Sequence, residues 1–128
     1  MEVLRGRVVA GIGNFSRWMT VLDELYTRKT GMKLFPGTLN LQLERPYRLP
    51  ARRLRIEKEE YGGTVSVNLV ACRVFGREAF LVRTDQNEAG VGHHPRTVIE
   101  IACPVKLRDE YLLADGDLVE VEIVTGEP

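Results

Sequence analysis

The sequence predicts a mainly β protein, a small barrel closed on itself with one or two short helices. Three observations point there. Six or seven runs alternate apolar and polar residues at the strand period, only two short segments carry another pattern, and glycine- or proline-bearing turns separate them. So many strands with so few helices do not make a layered α/β sandwich, whereas a sheet curled until its edges meet buries one face and leaves no open edge. At 128 residues the chain is expected to form one domain, residues 1–128, around a single core.

Val3 to Gly11 alternates and carries Val8 and Val9, giving a first strand that ends at Gly11. The period then changes. Leu22, Leu25 and Tyr26 share one helical face, Thr20 with Asp23 approximates a capping box, and Gly31 supplies a stop, so a helix is expected over about Thr20 to Lys29. Pro36-Gly37 signals a turn, and a strand follows from Thr38. Arg53 to Glu60 alternates Leu54 and Ile56 with charges, and Gly62-Gly63 is a hairpin signal. Val65 to Phe75 is a long strand that Gly76 turns into Glu78 to Arg83. Thr84 to Arg96 is polar and contains glycines, the makings of a long functional loop. Val98 to Cys103 is a further strand, Val105 to Leu112 a short helix just after Pro104, and Leu118 to Val124 the last strand.

Composition narrows the function. Lysine plus arginine and aspartate plus glutamate stand at 18 each, a balance that creates no strong field for a polyanion, so nucleic acid is not the expected main partner. No apolar run reaches signal-peptide or membrane length, which leads to the expectation of a cytoplasmic protein with no membrane association. Cys72 and Cys103 lack the spacing of a zinc or redox centre and sit in apolar runs, where core thiols are expected.

The chemistry concentrates in a few segments. In Phe35-Pro36-Gly37-Thr38-Leu39-Asn40-Leu41, strand alternation puts Thr38 and Asn40 on one face and Leu39, Leu41 and Leu43 on the other. The leucines can anchor in a core. The hydroxyl and the amide oxygen then suit a hard cation that keeps part of its shell for water and phosphate, and a plain strand after a turn is the competing reading. Gly11-Ile12-Gly13-Asn14 follows a strand but lacks the second half of a dinucleotide fingerprint; it suits either an anion-binding backbone nest or a simple turn. Lys106 and Arg108, early in a short helix, gain nothing from its dipole, so a phosphate or carboxylate partner is expected unless they lie on a solvated charged face. Glu100 sits between Ile99 and Ile101, and alternation turns it to the opposite face, toward solvent or toward a ligand. His93 and His94 are adjacent on an extended segment, face opposite ways and are poorly placed to share one ion.

Taken in order, G-x-G at Gly11, P-G-T-L-N-L at Pro36, V-I-E-I-x-x-P-x-K-L-R at Val98 and D-G-D at Asp115 resemble the CTP-dependent riboflavin kinases, the archaeal-type family that makes FMN. The resemblance runs from about Val3 to Val124. It implies a six-stranded cradle-loop (RIFT-like) barrel, in which Asp115-Gly116-Asp117 before the last strand looks like the GD-box element. It further implies that Gly11, Ile12, Gly13, Asn14, Phe15 and Ser16, with Val105, Lys106, Leu107 and Arg108, bind the nucleotide. Thr38 and Asn40 would hold Mg2+ arriving with CTP. Glu100 would contact the flavin and is a candidate base. Phe15 stands where a second glycine is common in the family, and Gly92 stands where a threonine commonly touches the flavin, with Thr84 as the expected replacement. The activity implied is transfer of the CTP γ-phosphate to the ribityl 5′-hydroxyl of riboflavin. A competing reading is a non-catalytic GD-box barrel, either a flavin or nucleotide sensor or a DNA-binding regulator.

Overall fold

The structure, a computed structural model, describes residues 2–11, 15–92 and 94–124. Its elements are β1 (Glu2–Val9), α1 (Phe15–Val21), α2 (Asp23–Thr30), β2 (Leu39–Gln42), β3 (Leu54–Ile56), a 3-10 turn (Lys58–Glu60), β4 (Val67–Val74), β5 (Arg77–Thr84), α3 (Asp85–Glu88), β6 (Val98–Ala102), α4 (Leu107–Glu110) and β7 (Leu118–Ile123). Every strand pairing is antiparallel, in the order β3-β4-β5-β6-β2-β1-β7. Long β4 closes the ring, because its first half pairs with β3 and its second half with β7, where Cys72 faces Ile123. Six strands therefore form the expected closed barrel, and β3 is a short flap on its wall.

Alternation fills the interior. Leu41 of β2, Val70 of β4, Leu81 of β5, Ile99 of β6 and Val121 of β7 belong to one buried cluster that also holds the two free thiols, Cys72 and Cys103. A second cluster lies outside the barrel, where Met19, Leu25 and Tyr26 of the helices pack on Ile56, Phe80, Val82 and Ala102 of the sheet. The helical layer explains why all of Val98–Ala102 is buried: one face of β6 looks into the barrel and the other under the helices.

Several boundaries differ from expectation for local reasons. The segment expected as one helix over Thr20 to Lys29 is two helices broken at Leu22, which is not capped by any side chain. Thr20 makes no capping box; its hydroxyl donates to the Ser16 carbonyl at 3.0 Å. Gly31 does end α2 in the left-handed conformation, its N–H donating to the Thr27 carbonyl. The strand expected over Arg53 to Glu60 stops at Ile56, because Glu57 and Glu60 form a reciprocal capping box that starts the 3-10 turn. The loop from Thr84 to Arg96 contains α3, capped by the Thr84 hydroxyl, which accepts from Asn87 N. Helices are thus more numerous than the one or two expected. At the D-G-D turn, Gly116 N donates to Val8 O and Val8 N to Asp117 O, both at 2.8 Å, clipping the turn onto β1. No helix among the described residues is long and apolar enough to cross a membrane.

Candidate active site

β2 and β6 lie side by side with Asn40 opposite Glu100. Leu39 and Leu41 enter the barrel core, so the alternate face carries Thr38, Asn40 and Glu100 together. Thr38 Oγ1 donates to Glu100 Oε1 at 2.9 Å. That bond consumes the hydroxyl proton and leaves the threonine oxygen's lone pairs for a further partner. Asn40 is 7% exposed, and its Oδ1 accepts no hydrogen bond, which makes it an orphaned buried acceptor. Gly11 leaves the room it needs: a Cβ there would lie 2.6 Å from Asn40 Nδ2. A hydroxyl oxygen and an orphaned amide oxygen beside a carboxylate fit a hard cation that retains water and phosphate ligands. Among the described residues no group of three or more His, Cys, Asp or Glu side chains forms a self-sufficient cage, so an ion here would depend on its other ligands.

On one side of this triad opens a cleft of about 600 Å³. Phe15, Trp18, Leu22 and Tyr26 line its helical wall, Tyr61, Val65 and Val67 its floor, and Thr84, Gln86, Asn87, Gly92, His94 and Glu100 its polar end. Trp18 is 46% exposed and tilted against Tyr61, with ring centroids 6.5 Å apart. The volume and the aromatic walls suit a planar ring system. Burial pushes the Glu100 carboxyl above the ordinary carboxylate range, against the opposing influence of His94, the Thr38 hydrogen bond and Arg83. His94 Nε2 lies 4.0 Å from Glu100 Oε2. Burial, and after it Tyr61 and Glu100, raise the Tyr26 hydroxyl and keep it a neutral donor.

On the other side is a notch of about 280 Å³, lined by Phe35, Pro36, Gly37, Thr38 and Leu39 and by Val105, Lys106, Leu107 and Arg108. The two segments expected to serve the nucleotide and the ion thus share one wall, joined also by the Phe35 N–H donating to Cys103 O at 2.9 Å. Lys106 pairs with Asp109 at 3.7 Å and Arg108 pairs with Asp115, all on exposed or half-exposed side chains. These are solvated pairs, the competing expectation for these cations, and such surface pairs are weak enough to exchange for phosphate.

Thr38 borders the notch, Glu100 borders the cleft, and a single hydrogen bond joins them. In comparisons with known proteins, residues 8–123 match the family model CTP-dep_RFKase, described as domain of unknown function DUF120. The chain belongs to the CTP-dependent riboflavin kinase family. It is similar to proteins named riboflavin kinase from Pyrobaculum aerophilum (38% identical, over 94% of this chain and 60% of that protein) and Archaeoglobus fulgidus (34%, 94% and 54%). Another, from Methanopyrus kandleri, is 34% identical over 92% of this chain and 80% of its own length. The chain spans about 60% of the Pyrobaculum relative.

Within this family frame, the structure brings together Thr38, Asn40, Glu100 and Val105 to Arg108, while Gly11 abuts Asn40. It separates others. Phe15 faces the cleft rather than the notch, and Ser16 is exposed and lines neither. Ile12, Gly13 and Asn14 lie outside the described residues, as does His93. Thr84 and Gly92 both line the cleft. Trp18, Tyr61 and Asn87 carry no signal used in the sequence analysis, where Tyr26 enters only on a helical face with Leu22 and Leu25. The spacing of Trp18, Leu22 and Tyr26, every fourth residue, is the signal that places Trp18 on that helical side.

Proposed function

We propose that this chain transfers the γ-phosphoryl group of CTP to the ribityl 5′-hydroxyl of riboflavin, giving FMN and CDP. The observation that carries the reading is the Thr38–Glu100 hydrogen bond, which joins a flavin-sized cleft to a notch edged by Lys106 and Arg108. Riboflavin would lie with its ring between the aromatic walls of the cleft and its ribityl chain toward Glu100. CTP would bring its phosphates to the notch, where Lys106 and Arg108 leave Asp109 and Asp115 to meet them. The choice of CTP follows the family's name, and no P-loop in the sequence offers a cradle for ATP.

Phosphoryl transfer asks the protein mainly to align donor and acceptor and to neutralise charge. Thr38 and Asn40 would hold a magnesium ion, which would supply positive charge to neutralise the phosphates. The 5′-oxygen forms a bond to the γ-phosphorus as the bond to the β,γ-bridging oxygen breaks. Glu100 takes the hydroxyl proton, a task suited to a carboxyl whose affinity for protons is raised by burial. Thr38 holds that carboxylate in place through its hydrogen bond and would offer its lone pairs to the ion. The apolar walls keep water from competing with the ribityl hydroxyl.

The test is incubation with riboflavin, magnesium and each of the four nucleoside triphosphates in turn, with FMN separated and quantified. FMN should form with CTP. Equal or faster formation with ATP would overturn the donor assignment, and flavin binding with no FMN from any donor would favour a flavin sensor.

A further inference from the structure

Asn87 is 7% exposed at the polar end of the cleft, yet half of its amide is unused. Its Oδ1 accepts from the His94 backbone N–H at 3.3 Å, which fixes which way the amide faces. Its backbone N–H is satisfied by Thr84 Oγ1 at 3.1 Å. Nδ2 has no acceptor among the described residues. Asn87 lines the cleft, so a ligand carbonyl there would take the place of water as the acceptor. Gly92 belongs to the same arrangement: a Cβ there would lie 1.8 Å from Asn87 Oδ1 and 2.9 Å from Asn87 N, so the asparagine occupies the space that a side chain would need.

We infer that Asn87 reads the polar edge of the flavin ring, donating from Nδ2 to a ring carbonyl. The inference rests on the riboflavin reading of the cleft. With its oxygen engaged, Asn87 offers only a donor, which matches the carbonyl-bearing pyrimidine edge of a flavin. The ribityl hydroxyls, which carry protons to give, fit the Glu100 carboxylate instead. Asn87 and Gly92 form a matched pair, in which the glycine keeps the amide's seat open.

The test is equilibrium titration of flavin fluorescence with riboflavin and with lumiflavin, which has the ring but no ribityl chain. Asn87→Asp keeps an oxygen for the His94 N–H and removes the donor. It should weaken both flavins by about five- to tenfold, the scale of one buried hydrogen bond. Unchanged affinity overturns the inference, and so does a loss confined to riboflavin, which would put Asn87 on the ribityl chain. Gly92→Thr should weaken binding in the natural background and cost less when combined with Asn87→Ala, which removes the two side-chain contacts and leaves the one with the backbone nitrogen. Equal cost in both backgrounds overturns the pairing, and this arm stands even if Asn87→Asp folds poorly. If the unaltered protein quenches neither flavin, the riboflavin reading fails and this inference with it; if it binds both and the variants match it, this inference alone fails.

Discussion

Thr38 donates its only side-chain proton to Glu100, and in the proposed mechanism the lone pairs of the same oxygen would face a cation. Asn40 has only its orphaned oxygen to give. Thr38→Ala and Asn40→Ala should each lower turnover by about five- to tenfold, the scale of one contact worth 1–1.5 kcal/mol, and raise the magnesium concentration needed for half-maximal rate. Steady-state assays across a magnesium titration check this, and unchanged magnesium dependence in both variants removes the ion from these residues. Glu100 gives a prediction of opposite signs in two measurements. As a base it must be ionised, so the rate should fall as pH drops through a value above the ordinary carboxylate range; Glu100→Gln should lose about 10²- to 10⁴-fold in rate and lose that acid limb. Its raised affinity for a proton in the folded state means stability is full below the unfolded carboxyl value and declines as pH rises through the folded one. Glu100→Gln should therefore melt higher than the natural protein at neutral and alkaline pH, which a thermal scan reads directly.

At the scale of elements, the β4–β5 hairpin braces α4. Phe75, at the tip, has a left-handed φ of 53° and stacks on Tyr111 with centroids 4.0 Å apart. Arg77 donates to the Tyr111 hydroxyl at 2.6 Å and pairs with Glu110. The strained backbone of Phe75 is held by that stack, and the stack holds the helix beginning at Leu107 beside Lys106 and Arg108. Phe75→Asn tolerates the left-handed turn and removes the ring, so the loss of about 0.5–1.5 kcal/mol of stacking is partly offset by relief of strain. The variant should melt within a few degrees of the natural protein yet show a raised KM for the nucleotide with unchanged riboflavin affinity. Unchanged KM would separate the brace from the nucleotide.

The elements that sequence reading found are those with one buried face. Leu39, Leu41 and Leu43 alternate against polar neighbours, and the shared face of Thr38 and Asn40 follows from that period alone. Glu100 resisted placement because β6 is covered on both sides, and periodicity carries no direction once a second layer lies over the outer face. The single turn of α3, Asp-Gln-Asn-Glu, has no apolar residue to mark a helical face, so it read as loop. Asn87 was hidden with it. The cleft itself is assembled from residues between Phe15 and Glu100, whose meeting depends on tertiary packing that no local pattern encodes.

For the whole molecule, closure is the step that gives the triad a rigid base. Among the described residues, Cys72 with Ile123 and Arg73 with Glu122 are the registered pairs between β4 and β7, and with the Val124 N–H donating to Ala71 O they turn an open sheet into a ring. Ile123 is fully buried there, so Ile123→Ala should cost about 2–5 kcal/mol, read from the denaturant midpoint. The ring in turn places β2 beside β6 and so sets Asn40 opposite Glu100. With one substrate in the cleft and the other in the notch, as proposed, the two would meet at the Thr38–Glu100 hydrogen bond. A crystal structure with riboflavin, magnesium and a non-hydrolysable CTP analogue tests it most directly. The flavin ring should lie among Trp18, Tyr26 and Tyr61, the ribityl 5′-hydroxyl within hydrogen-bond reach of Glu100, and the phosphates beside Lys106 and Arg108. A flavin bound elsewhere, or a ribityl chain pointing away from Glu100, would contradict it.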